Sequence, residues 1–192
     1  MSKALTESRR TQYTQRALQD ALIELLTDKP LSRITVRELC EKADVNRSTF
    51  YAHYRDTASL LHDIEEDAID WVRGTLQQLL EQPDVESVGR VIEHICQYIA
   101  DNRSHLRVLM STKADLGFQQ RLLGLIYGRS DVVAQLQPQG VSPEEAEMRV
   151  RFAVSGSVGL LQYWLSTDLE ASPEAVARTI TTMALRPADD PR

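Results

Sequence analysis

Little in this chain of 192 residues breaks a helix. It holds 8 glycines and 7 prolines, too few for a fold built on many tight turns, so helix is expected throughout. Long apolar runs are absent too: none approaches the roughly 18 residues that a membrane span needs. The opening Met1–Arg10 stretch lacks the hydrophobic core of a signal peptide, which gives the expectation of a cytoplasmic protein with no membrane partner. Cysteines number two, Cys40 and Cys96, with no Cys-x-x-Cys spacing. That excludes a disulfide framework and a zinc ribbon, and leaves each thiol as a small buried hydrophobe or a redox sensor. No Glu-x-x-His pair, nucleophile motif or phosphate loop occurs, so no enzyme, metal or cofactor is expected. What remains is an ordinary globular composition, 42% hydrophobic and 26% charged.

The net charge of −6 is unevenly divided. Residues 1–55 carry 10 Lys and Arg against 7 Asp and Glu, a balance of +3, whereas residues 56–192 carry 12 against 21, a balance of −9. The positive part is where a polyanionic partner would be met, although a solvated basic face fits a +3 balance as well.

That part contains the most informative stretch, residues 35–61. Thr35 followed by Glu38 has the spacing of a capping box. Val36, Leu39, Cys40 and Ala43 then repeat at helical spacing. Asp44 falls where the chain must reverse, and aspartate tolerates left-handed backbone. Asn46 is placed to cap a second short helix, in which Phe50 and Tyr54, one turn apart, point inward. Arg47, Ser48, Thr49, Tyr51 and His53 point elsewhere; all donate hydrogen bonds and none is acidic. Such a helix suits the major groove of DNA, with its flanks against phosphates. From periodicity alone, a helical hairpin with a polar outer face fits equally well.

Residues from about 10 to 61 resemble the DNA-binding domain of the TetR family of bacterial regulators. The resemblance is carried by Ile34-Thr35-Val36-Arg37-Glu38-Leu39, Ala43-Asp44-Val45, Ser48-Thr49-Phe50-Tyr51-Ala52-His53-Tyr54 and Leu60-Leu61. Two positions depart from the family pattern: Asp44 stands where glycine is common, and Thr57 where a phosphate-gripping lysine is usual. Losing that lysine implies weaker non-specific binding, with Arg55 placed to compensate. The resemblance implies an all-α fold of about nine helices. Residues 1–56 would form a three-helix helix-turn-helix DNA-binding domain, and residues 57–192 a helical effector-binding and dimerisation domain.

Periodicity places the elements. A first helix is expected over 7–27, with Leu18, Ala21, Leu22, Leu25 and Leu26 as its buried stripe. Arg9, Arg10 and Arg16 beside it suit either a minor-groove backbone or a solvated helix start. Pro30 stops it. Asp56 can cap a long helix over 57–81, seamed by Leu61, Ile64, Ala68, Val72, Leu76 and Leu79. The opposite face holds His62, Asp63, Glu66, Asp67 and Asp70, a solvated acidic face or, less simply, a metal site. A fifth helix starts at Asp84, with Val85, Val88, Val91, Ile92, Ile95 and Ile99 inward. A short sixth is expected over 105–111 and a seventh over 115–135, with Phe118, Leu122, Leu125, Ile126 and Val133 inward. Gly124 and Gly128 mark a kink or close contact in the seventh. Residues 137–142 read as a loop.

Ser142-Pro143-Glu144-Glu145 is a helix start. The helix it opens runs to about Ser166 and is apolar nearly all round from Val150, so it must be covered on more than one side. Ser172-Pro173-Glu174 opens the last helix, with Val176, Ile180 and Met183 inward, and residues 187–192 read as a frayed tail. Two such helices from each of two chains would build a four-helix interface, for which Val154, Ser155, Val158, Gly159, Gln162, Ile180 and Met183 are candidates. A core within one chain is the alternative. TetR-like proteins dimerise in the first way.

The expected function is a homodimeric regulator, a repressor by resemblance, reading a palindromic double-stranded DNA operator. Arg37, Arg47 and Ser48 are the candidates for base edges, and Thr49, Tyr51, His53, Arg55 and Thr57 for the phosphate side. A small-molecule effector among the later helices would meet Arg103, His105, Tyr127, Gln162 or Tyr163, with His94 and Arg107 as further polar candidates, although the apolar lining fits a dry core equally well. The rival expectation is an adaptor of the same fold that binds protein partners instead of DNA, which the departure at Thr57 would suit.

Overall fold

Helix α1 (Ser2–Asp28) exists because its apolar residues recur on one face. Leu18, Leu22 and Leu26 are fully buried, and Ala21, Ile23 and Leu25 nearly so. The computed structural model describes residues 2–81, 85–111, 116–128, 142–168 and 170–185. Among these the chain forms nine α-helices and one 3-10 turn, Leu31–Arg33, with no strand. No helix is long and apolar enough to cross a membrane. The expected loop over 137–141, the end of the seventh helix beyond 128 and the tail from 187 lie outside the described residues.

The chain divides into two units: residues 1–68 with 104–118, and residues 69–103 with 119–192. The first contains α1, α2 (Val36–Ala43), α3 (Arg47–His53), the start of α4 (Thr57–Glu81) and α6 (Arg103–Leu109). Helix α1 packs against α2, and Leu39, Cys40, Phe50, Leu60, Leu61 and Ile64 of the same unit are buried as well. Lys29 reaches Glu38 at 2.5 Å and Lys42 reaches Glu24 at 2.5 Å, so ion pairs at both ends hold α1 against α2. Helix α6 starts two residues earlier than its spacing suggests and buries Leu106, Val108 and Leu109. Its His105 Nε2 lies 3.2 Å from Asp20 of α1.

The second unit packs α9 (Pro173–Leu185) against α5 (Val85–Asp101) and α8 (Pro143–Ser166). Val91 is buried among Leu76, Val88 and Ile95. Trp71 stacks on Tyr98 at 3.7 Å between ring centres, joining α4 to α5. The start of α8 forms as its sequence dictates: the Ser142 hydroxyl accepts the Glu145 amide at 3.2 Å, and Pro143 stands in the first turn. Trp164 Nε1 donates to the Ala171 carbonyl at 2.9 Å, which closes the turn from α8 into α9. In α7 (Leu116–Tyr127), a methyl group added at Gly124 would meet no described residue, so no close approach among the described residues explains that glycine. Val176, Ala177 and Ile180 are buried on α9, but Met183, in register with Ile180, is 75% exposed because no described residue of the single chain covers it.

Candidate nucleic-acid interface

Thr35 starts α2 by accepting the Glu38 amide at 3.2 Å. The helix stops at Asp44, whose φ of 53° and ψ of 42° are left-handed, and the Val45 amide closes on the Cys40 carbonyl at 3.0 Å. Asp44 thus performs the reversal for which glycine has no rival in ease, helped by its short polar side chain. Asn46 then opens α3, though not by its side chain. Its own carbonyl takes the Thr49 amide at 2.9 Å and the Phe50 amide at 3.0 Å.

Helix α3 divides its seven residues sharply. Phe50 is fully buried and Tyr54, just after the helix, is 7% exposed, the two rings 5.9 Å apart. Arg47, Ser48, Tyr51 and His53 are exposed, and Thr49 is half-buried. The Tyr51 ring meets Phe50 edge-on at 5.4 Å, which limits where its hydroxyl can go. No carboxylate lies on this helix. Arg37 and Arg47 stand on the walls of a cleft of about 300 Å³ between α2 and the start of α3. Arg37 Nε is 2.7 Å from Glu41, which raises its already high pKa. Any anion that takes Arg37 must therefore share it with that carboxylate.

The far flank is set by the start of α4. The Asp56 carboxylate accepts the Ser59 amide at 2.8 Å, and Arg55 Nε lies 3.0 Å from Asp56. Both contacts hold the Asp56 carboxyl below its ordinary value, the amide foremost. Arg55 is exposed and Thr57 half-buried, so the candidates at this end lie on one short connection. Cys40, on the cleft floor, is buried; burial raises its thiol pKa while Arg47 lowers it.

The candidate effector residues are divided between the two units. Arg103 pairs with Asp168, and His105 belongs to the first unit. The Tyr127 hydroxyl is 2.9 Å from Ser155, with the Arg151 guanidinium 5.2 Å over its ring, and Gln162 bonds Gln119 at 3.4 Å. Tyr163 is exposed. Among the described residues no group of three His, Cys, Asp or Glu side chains is placed to hold a metal ion. The interface candidates are mixed. Ser155, Gly159 and Met183 are exposed, Val154, Val158 and Gln162 half-buried, and Ile180 buried within its own chain. Met148 and Phe152, four residues apart on α8 and outside the named interface candidates, are 64% and 79% exposed. An i, i+4 apolar pair was the available signal.

Two family models match. The model described as bacterial regulatory proteins, tetR family, covers residues 18–64, and that described as transcriptional regulator C-terminal region, a TetR model by name, covers 86–186. The chain belongs to the TetR family of transcriptional regulators. An uncharacterized HTH-type transcriptional regulator of Bacillus subtilis (strain 168), YxbF, is 24% identical over 166 residues. That match takes in 85% of this chain, which spans only 42% of that relative's length. Among solved structures, a TetR transcriptional regulator from Streptococcus agalactiae 2603V is 25% identical, with a TM-score of 0.64 over 95% of this chain and 99% of that one. A complex of SmeT with triclosan superposes with a TM-score of 0.72 at 15% identity, over 90% of each chain, a likeness of TetR fold alone.

Proposed function

We propose that this TetR-family chain acts as a homodimer that reads a palindromic DNA operator through α3, as a repressor modulated by a small-molecule effector. The observation that carries the reading is the outward face of α3. It presents Arg47, Ser48, Tyr51 and His53 to solvent with no carboxylate on the helix. Residues 1–56 serve as the DNA-binding domain and residues 57–192 as the effector and dimerisation domain. Arg47 and Ser48, with Arg37 across the cleft, meet base edges in the major groove, where a guanidinium fork pairs with guanine. Thr49, Tyr51, His53, Arg55 and Thr57 hold the sugar-phosphate backbone and fix the register. Two copies of α3, about 34 Å apart or a multiple of it, match successive major grooves on one face of the duplex.

The second copy is recruited by α8 and α9, where Phe152, Tyr163 and Met183 stand exposed although large and apolar. The effector is a small hydrophobic molecule, a class that includes the triclosan of the SmeT complex. It acts only so far as it binds one dimer spacing better than the other. A gel shift with the duplex that the protein selects from a random-sequence pool tests the proposal. Arg47→Ala with Tyr51→Ala abolishes the shift if α3 is the contact. A folded wild type that shifts no duplex at 50 mM salt contradicts it and favours the protein-binding adaptor.

A further inference from the structure

Helix α3 is only seven residues long. A helix so short has no stability of its own and takes its direction from its neighbours. Phe50 anchors its buried side, and the turn from α2, closed by the Val45 amide on the Cys40 carbonyl, holds its start. The other end is set by the connection to α4, where Tyr54 follows the helix and bonds its amide to the Phe50 carbonyl at 2.9 Å. The Tyr54 hydroxyl crosses to α4 and donates to Asp63 Oδ2 at 2.7 Å in a half-buried setting. Gln15 of α1 also hydrogen-bonds Tyr54, and one turn beyond Asp63 the Gln19 amide meets Asp67 at 3.3 Å. The side of α4 that the sequence presents as an acidic face is, at Asp63 and Asp67, a polar seam against α1 and the end of α3.

We propose that Asp63 is a positioning residue for operator recognition: by accepting the Tyr54 hydroxyl, it sets the angle at which α3 leaves α4. This rests on the reading of α3 as the DNA-contacting helix. The lever is short but sufficient. From Tyr54 to Arg47 is about 10 Å along the helix, so a swing of about 6° moves Arg47 by about 1 Å. A hydrogen bond to a base edge tolerates about 0.5 Å. A charge against a phosphate loses little over the same distance. Loosening this contact therefore degrades discrimination between sequences before it degrades attraction to DNA.

Tyr54→Phe, Asp63→Ala, Asp63→Asn and the Tyr54→Phe/Asp63→Ala pair test it, in the full chain, with helix content and melting measured alongside. Tyr54→Phe and Asp63→Ala are each expected to weaken binding to the selected operator about tenfold. Affinity for a random duplex of equal length should stay within about twofold. Asp63→Asn, which retains a carbonyl acceptor, should stay within about threefold of wild type on the operator, and the paired variant should fall no further than either single one. In the DNA-free protein, amide hydrogen exchange over residues 47–53 should quicken about tenfold in Tyr54→Phe and Asp63→Ala but not in Asp63→Asn. Unchanged exchange in folded Tyr54→Phe and Asp63→Ala overturns the proposal, as does an equal loss on operator and random DNA. If the wild type selects no duplex, the reading of α3 fails, and the exchange comparison still decides whether Asp63 sets this helix.

Discussion

The Glu38 carboxylate lies 2.5 Å from Lys29 Nζ, across the gap between α2 and the end of α1, while its own amide is held by the Thr35 hydroxyl at 3.2 Å. The capping box that the spacing suggests is thereby divided: Thr35 caps, and Glu38 ties two helices together. The two roles differ in energy. Thr35→Ala is expected to lower stability by about 1 kcal/mol. Glu38→Ala, which removes a partly exposed ion pair, is expected to cost less, about 0.5 kcal/mol. Urea unfolding of the two variants checks the order; a larger loss in Glu38→Ala would reverse it.

Thr57 begins α4 half-buried, where a lysine is usual in the family. Thr57→Lys should tighten binding to operator and random duplex alike. A single added phosphate contact steepens the plot of log affinity against log salt by about 0.9. Fluorescence anisotropy between 50 and 200 mM salt measures both quantities. A gain confined to the operator would mean that the residue at 57 meets a base instead.

Burial pushes the Cys96 thiol up to about 11, with Glu93 adding to the effect. The thiolate is then about one part in a thousand at pH 8, too little to react even if reagent could enter. Cys96 should therefore resist a chromogenic disulfide reagent in the native protein, measured in Cys40→Ala, and react fully in guanidinium. Because the folded value lies above the unfolded one, this group's contribution is complete below about pH 9 and fades as the pH rises toward 11. Rapid native labelling at pH 8 would contradict the placement of Cys96.

Phe152 and Met148 are exposed one turn apart on α8, and Met183 is exposed on α9. Phe152→Glu should leave each chain folded, since the side chain touches solvent, while weakening the proposed dimer at least tenfold. Sedimentation velocity across a concentration series checks this. A dimer unaffected by Phe152→Glu would move the interface off this face of α8.

The features legible in the sequence are those that depend on neighbours along the chain. The Leu18–Leu26 stripe, the Thr35 and Ser142 caps, the reversal at Asp44 and the proline-marked helix starts each follow from spacing and local sterics, and the structure has them. What stayed hidden depends on partners brought close only by folding. Asp63 looks like any surface carboxylate until Tyr54 is beside it. Trp71 and Tyr98 lie 27 positions apart and stack only once α4 and α5 are paired. The side chain of Asn46 fits the cap rule, yet makes no cap bond in the structure. In the candidate site, residue types and exposure on α3 are readable from the sequence, whereas the pairing of Arg37 with Glu41 depends on the rotamers that the two side chains take on α2.

Hydroxyl-radical footprinting of the selected duplex tests the central claim most directly. Insertion of α3 from each of two chains predicts two protected stretches of backbone on one face, their centres about one helical turn or a multiple of it apart, both lost with Arg47→Ala. Uniform cleavage at 50 mM salt in the presence of folded protein, or a single protected stretch, would contradict it.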